Sequence, residues 1–435
     1  MRLSSGEPGP CVAVPLSPSL RGVRLAQAYR VHPFDQQRMT RIMKDSAEAL
    51  GIGTRLAQLG RMSDAHYGFV NTPVYRGSTV LFKTPDDLEH ERARYSYGTA
   101  GSPTLESLES AWSALSGAAG TSLAASGLGA VTLALLTALK SGDHLLMPDS
   151  VYLPTRMVCG KLLARFGVET TYYDPMLGAD LAALIRPNTS TIFLESPGSQ
   201  TFEVQDVPAI TALARERSLT TIIDNTWATP LYFRAHEHGC DLVVEAGTKY
   251  LSGHSDLLLG LVSANERLWP RLKETYRSMA MLPGAEDCYL ALRGMRTLHI
   301  RLQEAERRGL QLAQWLAAQP EVETVLHPAL PSCPGHAFWK RDFTGSTGVF
   351  SFILRPGFTR EDLARMLDAM RIFGMGYSWG GFESLIIPFD CRTYRTATVW
   401  RAQGLCLRVQ VGLEDFEDVR TDLRAGLDRL AGRQA

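Results

Sequence analysis

The chain has 435 residues, 45% of them apolar and 21% charged, with 45 Lys+Arg balanced by 45 Asp+Glu. This is an ordinary globular mix, so collagen, coiled coil and global disorder are excluded, and the length predicts two or three domains at roughly 150 residues each. Zero net charge argues against a nucleic-acid partner, and apolar runs such as 130–139 are too short and interrupted to span a bilayer.

Residues 1–44 hold six arginines against Glu7 and Asp35, and five prolines, among them Pro8, Pro10, Pro15 and Pro18. Their apolar stretch, Cys11 to Leu16, is too short for a signal-peptide core. The segment reads as a disordered extension, or as sequence preceding a true start at Met39 or Met43. Its Arg-rich, acid-poor content also fits a transit peptide. Helix and strand patterns then alternate. Thr104 to Leu115 and Leu128 to Lys140 read as helices, Asp143 to Pro148 as a strand, and Val151 to Phe166 as a helix. Strands follow at Glu169 to Tyr173 and Thr191 to Leu194, a helix at Val207 to Arg217, and strands at Thr220 to Ile223 and Leu242 to Val244. Short apolar strands spaced by helices predict a mainly parallel sheet covered on both faces. From about residue 297 the pattern becomes α+β: helices at Leu298 to Ala318 and Arg360 to Met370, strands at Val322 to His327, Gly348 to Leu354 and Leu405 to Val411. Seven scattered cysteines, odd in number and without a CxxC pair, fit free thiols in a reducing compartment.

Ligands of open α/β sheets bind beyond the carboxyl ends of the strands, so the polar residues there are the candidates. Lys249 stands out because only seven of the 45 basic residues are lysines, and it follows a buried strand. An amine with a lowered pKa can form a Schiff base; a guanidinium cannot. A surface lysine is the bland alternative. Asp224 ends the run Thr-Thr-Ile-Ile, where a carboxylate can hold a pyridine nitrogen protonated or cap a helix. Ser126-Gly127-Leu128-Gly129 opens a helix whose free amides suit a phosphate, though such turns are common. Ala246 and Thr248 precede Lys249, and the Thr248 hydroxyl is a further phosphate donor. Tyr152 would face the same crevice and stack on a flat ring, or simply pack. Arg408 alternates within Leu405 to Val409 and so needs an anionic partner, a substrate carboxylate or a structural acid. His236 and His238 read as surface residues without metal-ligand spacing, and His254 as structural.

Assembled, these segments resemble the pyridoxal-phosphate-dependent enzymes of Cys/Met metabolism from about residue 45 onward. Thr248-Lys249-Tyr250-Leu251-Ser252-Gly253-His254-Ser255-Asp256 resembles the cofactor-lysine signature, and Ile223-Asp224-Asn225-Thr226-Trp227 the segment of the pyridine-nitrogen Asp. Glu195 to Ser199 and Tyr377-Ser378-Trp379-Gly380-Gly381-Phe382-Glu383-Ser384-Leu385 resemble the β-lyase branch. The resemblance implies an α/β fold of the PLP-dependent transferase fold type I (aspartate aminotransferase-like). It divides the chain into an arm (45–100) contacting a neighbouring subunit, a large pyridoxal 5'-phosphate domain (101–296) and a smaller α+β C-terminal domain (297–435). It implies a cytoplasmic homotetramer built as a dimer of dimers, with no nucleic-acid or membrane partner.

The implied activity is cleavage of L-cystathionine to homocysteine, pyruvate and ammonia. Lys249, Tyr152 and Asp224 are its catalytic residues. Gly127, Leu128, Ala246, Thr248, Tyr97 and Thr99 join these three around the cofactor, and Arg408, Tyr377, Ser378, Trp379, Tyr97 and Tyr276 surround the substrate. A related γ-lyase, sulfhydrylase or cysteine-S-conjugate β-lyase stays open, as does, from another class, a non-catalytic regulatory protein of the same fold. Thr99 departs from the resemblance, which has Arg at this place. Losing a charged hydrogen bond costs about 1.5–3 kcal/mol, a loss the other cofactor contacts can absorb.

Overall fold

A computed structural model describes residues 50–90 and 92–433. The expectations for residues 1–44, Met39, Met43 and Cys11 lie outside them. Two sheets organise the chain. The first contains β1 (Gly120–Ala124), β2 (His144–Pro148), β3 (Glu169–Tyr173), β4 (Thr189–Glu195), β5 (Thr220–Asp224), β6 (Leu242–Glu245) and β7 (Gly260–Ala264), in the order β1-β7-β6-β5-β4-β2-β3. Strands β2 to β6 pair in parallel, and β7 runs antiparallel to both β1 and β6. A parallel neighbour needs a crossover, usually helical. Residues 246–259 contain no helix, so β7 turns back, and the returning loop carries Lys249.

Side chains of successive strand residues point to opposite faces, and here both faces are buried. Ile192, Leu194, Ile223 and Val243 enter one apolar core, while Phe193, Ile222, Leu242 and Val244 enter the other. On the first face lies helix α1 (Pro103–Ser116), with Pro103 in its first turn and Ser102 capping Leu105; on the second lies α2 (Gly127–Ala138). Further helices are α3 (Val207–Glu216), α4 (Trp269–Met279), α5 (Ala285–Met295) and α6 (Leu298–Ala317).

The second sheet is antiparallel throughout: β8 (Val322–Leu326), β9 (Val349–Leu354), β10 (Leu385–Phe389) and β11 (Cys406–Gln410), ordered β10-β11-β9-β8. One of its faces packs Phe350, Phe352, Leu407 and Val409 against α7 (Arg360–Leu367) and α8 (Phe416–Leu430). Alternation puts Arg408 on the other face, beside Ser351 and Ile387 in register.

Three expectations need correction. The helix predicted over 151–166 starts at Leu153, widens into a π turn at Val158–Leu162 around Gly160, and ends as a 3-10 turn. Glycine in a helix interior gives up conformational freedom without side-chain packing in return. The helix predicted to Met370 stops at Leu367. His236 and His238 are half-buried, not surface residues. The His236 ring bridges the Cys240 carbonyl and Ser263 Oγ, both at 3.0 Å, and His238 stacks on Phe233 at 4.6 Å.

Candidate active site

Three acids end three adjacent strands: Glu195 on β4, Asp224 on β5 and Glu245 on β6, with Glu195 directly opposite Asp224. Asp224 is half-buried. Its Oδ1 accepts from the Thr226 hydroxyl at 2.6 Å and the Thr226 amide at 3.0 Å, and the same hydroxyl accepts the Ala246 amide at 2.9 Å. Burial raises the Asp224 pKa, while Thr226 and the Lys249 charge oppose the rise. Glu195 is buried, accepts the Tyr152 amide at 2.8 Å, and is pushed well above the carboxylate range by burial and then by Asp224. Glu245 is buried between Trp112 Nε1 (2.6 Å) and Asn225 Nδ2 (3.4 Å), and burial pushes it to about 8.

Lys249 hangs in the β6–β7 loop, its backbone held by the Ala246 carbonyl and the Gly253 amide. Its half-buried amine donates to Ser378 Oγ at 2.7 Å and lies 5.3 Å from the Trp379 ring centre. Burial, then the nearby Arg408 charge, lowers the amine from 10.5 to about 8, against the pull of Asp224. Arg408 is 8% exposed and donates from Nη2 to the Ser378 carbonyl at 2.9 Å. Its Nε is buried without a partner. Among the described residues no carboxylate forms an ion pair with it, and burial lowers its pKa to about 10. Ser378 thus touches both the amine and the guanidinium, with its backbone at φ +83°. Tyr152, 47% exposed, feels Glu195, Asp224 and Arg408; burial raises its hydroxyl pKa first of all.

At the start of α2, Ser126 Oγ accepts the Gly129 amide at 3.1 Å. The Gly127 and Leu128 amides have no partner among the described residues. A methyl group at Gly127 would lie 2.6 Å from Ala246 Cβ, so the helix start abuts the residue held by Thr226. Thr248 uses its hydroxyl otherwise than expected: it donates to the Leu259 carbonyl (3.2 Å) and accepts the Leu259 amide (3.0 Å).

The fold therefore brings Lys249, Asp224, Tyr152, Arg408, Ser378 and Trp379 together, and seats Gly127, Leu128 and Ala246 beside them. Tyr377 is 88% exposed on the same loop as Ser378. Tyr97 and Thr99 belong to the arm: Tyr97 bridges Thr79, Thr99 lies in a 3-10 turn, and neither is bonded to the Lys249 cluster. Tyr276 on α4 has Glu109, Cys288 and Leu123 as its neighbours, none of them in the cluster. Glu195 and Glu245 were not singled out as buried acids. Their sequence signal is an acid directly after an apolar strand, with no basic residue beside it.

An amine of lowered pKa, a carboxylate facing it, unpaired amides at a helix start and an arginine without an acid form the donor set that a phosphorylated pyridine aldehyde and an amino-acid carboxylate require. The residues present fit such a group, and the sequence agrees. The chain belongs to the Cys/Met metabolism PLP-dependent enzymes, matching that family over residues 53–428, and its cofactor is pyridoxal 5'-phosphate. It is 61% identical over 331 residues to a putative cystathionine beta-lyase of Saccharomyces cerevisiae, covering 76% of this chain and 97% of that one. It is 41% identical over 389 residues to cystathionine beta-lyase MetC of Escherichia coli, covering 87% and 98%. A cystathionine gamma-lyase structure from Lactobacillus plantarum, complexed with L-serine, superposes with a TM-score of 0.81 at 28% identity, covering 88% and 100%.

Proposed function

We propose that the chain is a carbon–sulfur β-lyase that cleaves L-cystathionine to homocysteine, pyruvate and ammonia. The observation that carries the reading is the double contact of Ser378 with the Lys249 amine and the Arg408 guanidinium, the latter lacking an acid of its own. When bound, pyridoxal phosphate supplies an aldehyde that takes up an amine and a ring that withdraws the electron pair freed at Cα.

The chain's residues supply the rest. Lys249 would be the residue that holds the aldehyde, its amine freed when an amino acid is bound. With a pKa lowered to about 8, that amine then takes the Cα proton. Asp224, steadied by Thr226, holds the proton on the ring nitrogen. Gly127 and Leu128 offer their amides to the phosphate, beside Ala246. Tyr152 flanks the ring, and Arg408 clamps the α-carboxylate so that the Cα–H bond is aligned for removal. As Lys249 takes that proton, the Cβ–S bond breaks and its electron pair leaves with the sulfur, which receives the proton back from Lys249 and departs as homocysteine. Water converts the three-carbon remainder to pyruvate and ammonia. Ser378, Trp379 and Tyr377 line the substrate side. Tyr97 and Thr99 are proposed as contacts completed by a neighbouring subunit.

We read the chain as arm, large domain and small domain with boundaries near 100 and 296, assembled as a homotetramer in the cytoplasm. The exposed apolar arm residues Tyr67 (98%) and Leu81 (86%) support assembly. Among the described residues six buried free cysteines support a reducing compartment. Among the described residues no helix is long and apolar enough to cross a membrane. The test is incubation of the holoenzyme with L-cystathionine. Equal amounts of thiol and pyruvate are expected, and 2-oxobutyrate in place of pyruvate would turn the reading to γ-elimination.

A further inference from the structure

Asp149 is fully buried, and the chemistry above does not use it. It lies just beyond β2, three residues before Tyr152, and its carboxylate accepts five hydrogen bonds. Oδ1 takes Arg156 Nη2 at 2.9 Å and the Thr396 amide at 3.0 Å. Oδ2 takes the Ala397 amide at 3.0 Å, and both the Thr398 amide and hydroxyl at 2.7 Å. Three consecutive amides converging on one carboxylate form an anion nest, and the ion comes from a segment about 250 residues away in sequence.

A second buried ion pair holds the same segment. Arg395 pairs with Glu203 at 2.8 Å, with both side chains under a tenth exposed, and also reaches the Thr201 hydroxyl. Glu203 belongs to the loop that follows β4 and closes onto Gly198. That loop in turn fixes the turn bearing Tyr152: the Ser199 amide donates to the Ser150 carbonyl, and Glu195 accepts the Tyr152 amide. The Arg156 guanidinium also contacts the Thr396 hydroxyl at 2.7 Å and lies 3.5 Å from the Tyr172 ring centre. Residues 395–398 are therefore tied by two buried charges to the two loops beside Tyr152, shortly before β11 carries Arg408.

We propose that Asp149 is a positioning residue of the proposed lyase: it clamps the 395–398 strap against the Tyr152 turn and so fixes the spacing between Tyr152 and Arg408, on which amino-acid binding depends. The proposal rests on the reading of these two residues as pocket walls. An Asn at 149 keeps the shape but turns an N–H₂ group toward amide donors, which breaks the nest.

The test uses the holoenzyme with Asp149→Asn and Thr398→Val, the latter removing one hydroxyl bond while keeping every backbone bond. Hydrogen exchange at the 396–398 amides should quicken by at least about tenfold in Asp149→Asn, with the amides of β4 to β6 unchanged. KM should rise by about ten- to a hundredfold in Asp149→Asn and by a smaller factor in Thr398→Val, with kcat falling less than KM rises. Faster exchange with unchanged KM would reduce the clamp to a structural tie and overturn the proposal, as would unchanged exchange. If Asp149→Asn does not fold, Thr398→Val decides by the same two readings. The parent is assayed first. A parent without lyase activity removes the proposed function, whereas the exchange measurement still decides whether the clamp exists.

Discussion

At Lys249 two charges of opposite sign compete. Arg408 and burial favour the neutral amine, and Asp224 favours the ammonium; the lowered pKa shows that the first pair prevails. Replacing Lys249 with Ala removes the attachment point and the base together. The expected outcome is loss of the cofactor's visible absorbance, with pyruvate release down by at least about 10²–10⁴-fold; turnover near the parent's would remove Lys249 from this role. Arg408→Ala should instead act mainly on KM. Loss of a charge-assisted bond costs about 1.5–3 kcal/mol, or roughly ten- to a hundredfold, and an unchanged KM would leave Arg408 a structural residue.

Glu245 titrates in the opposite direction from a paired acid. Its pKa rises from 4.5 to about 8, so between those values the folded state binds more protons than the unfolded state. Stability must therefore fall as pH rises through this window, by at most about 1.4 kcal/mol per pH unit. Glu245→Gln keeps an acceptor for Trp112 and cannot ionise. Its Tm relative to the parent should climb as pH goes from 5 to 8, and a pH-independent difference would show that Glu245 is already ionised.

Elements explain what was legible in the sequence and what was not. The strands β2 and β4 to β6 announce themselves as short apolar runs and β3 by its β-branched and aromatic residues, and the polar residues at the carboxyl ends of β5 and β6 place Asp224 and Lys249 without further help. Strands β1 and β7 were missed because Gly-Thr-Ser-Leu-Ala and Gly-Leu-Val-Ser-Ala lack the bulky residues that mark a strand. Their small residues serve packing: a methyl group at Gly260 would lie 2.2 Å from the Ser126 carbonyl, and one at Gly120 the same distance from the Trp269 ring. The Ser378 contacts were equally hidden. They join positions 129 and 30 residues apart in sequence, and no local pattern encodes which backbone carbonyl a buried guanidinium will find. The fit of α2 against the β6–β7 loop gives a prediction at this scale. Gly127→Val would drive Cβ into Ala246 and push the helix start off its seat, so pyridoxal phosphate should dissociate more readily on dialysis while the far-ultraviolet dichroism stays unchanged. Retention equal to the parent's would argue against a phosphate seat at Gly127 and Leu128.

At the scale of the whole molecule the arm poses the remaining question. Tyr67, Phe69, Leu81 and Tyr97 are all more than half exposed, an uncovered apolar surface of the kind that marks an interface. The proposed assembly requires Tyr97 to serve a neighbour's site, because within one chain it does not reach Lys249. Two inactive variants distinguish the arrangements. Lys249→Ala retains a good arm but lacks the base, and Tyr97→Ala retains the base but lacks the arm residue. If the arm crosses to the neighbour, denaturing the two together and refolding produces hybrid dimers in which one of two sites is intact, and random pairing restores about a quarter of the parent's sites. If Tyr97 serves its own chain, every site in the mixture lacks one residue, and activity stays at the level of the separate variants. Sedimentation of the mixture, run alongside, distinguishes failed assembly from an arm that never crosses.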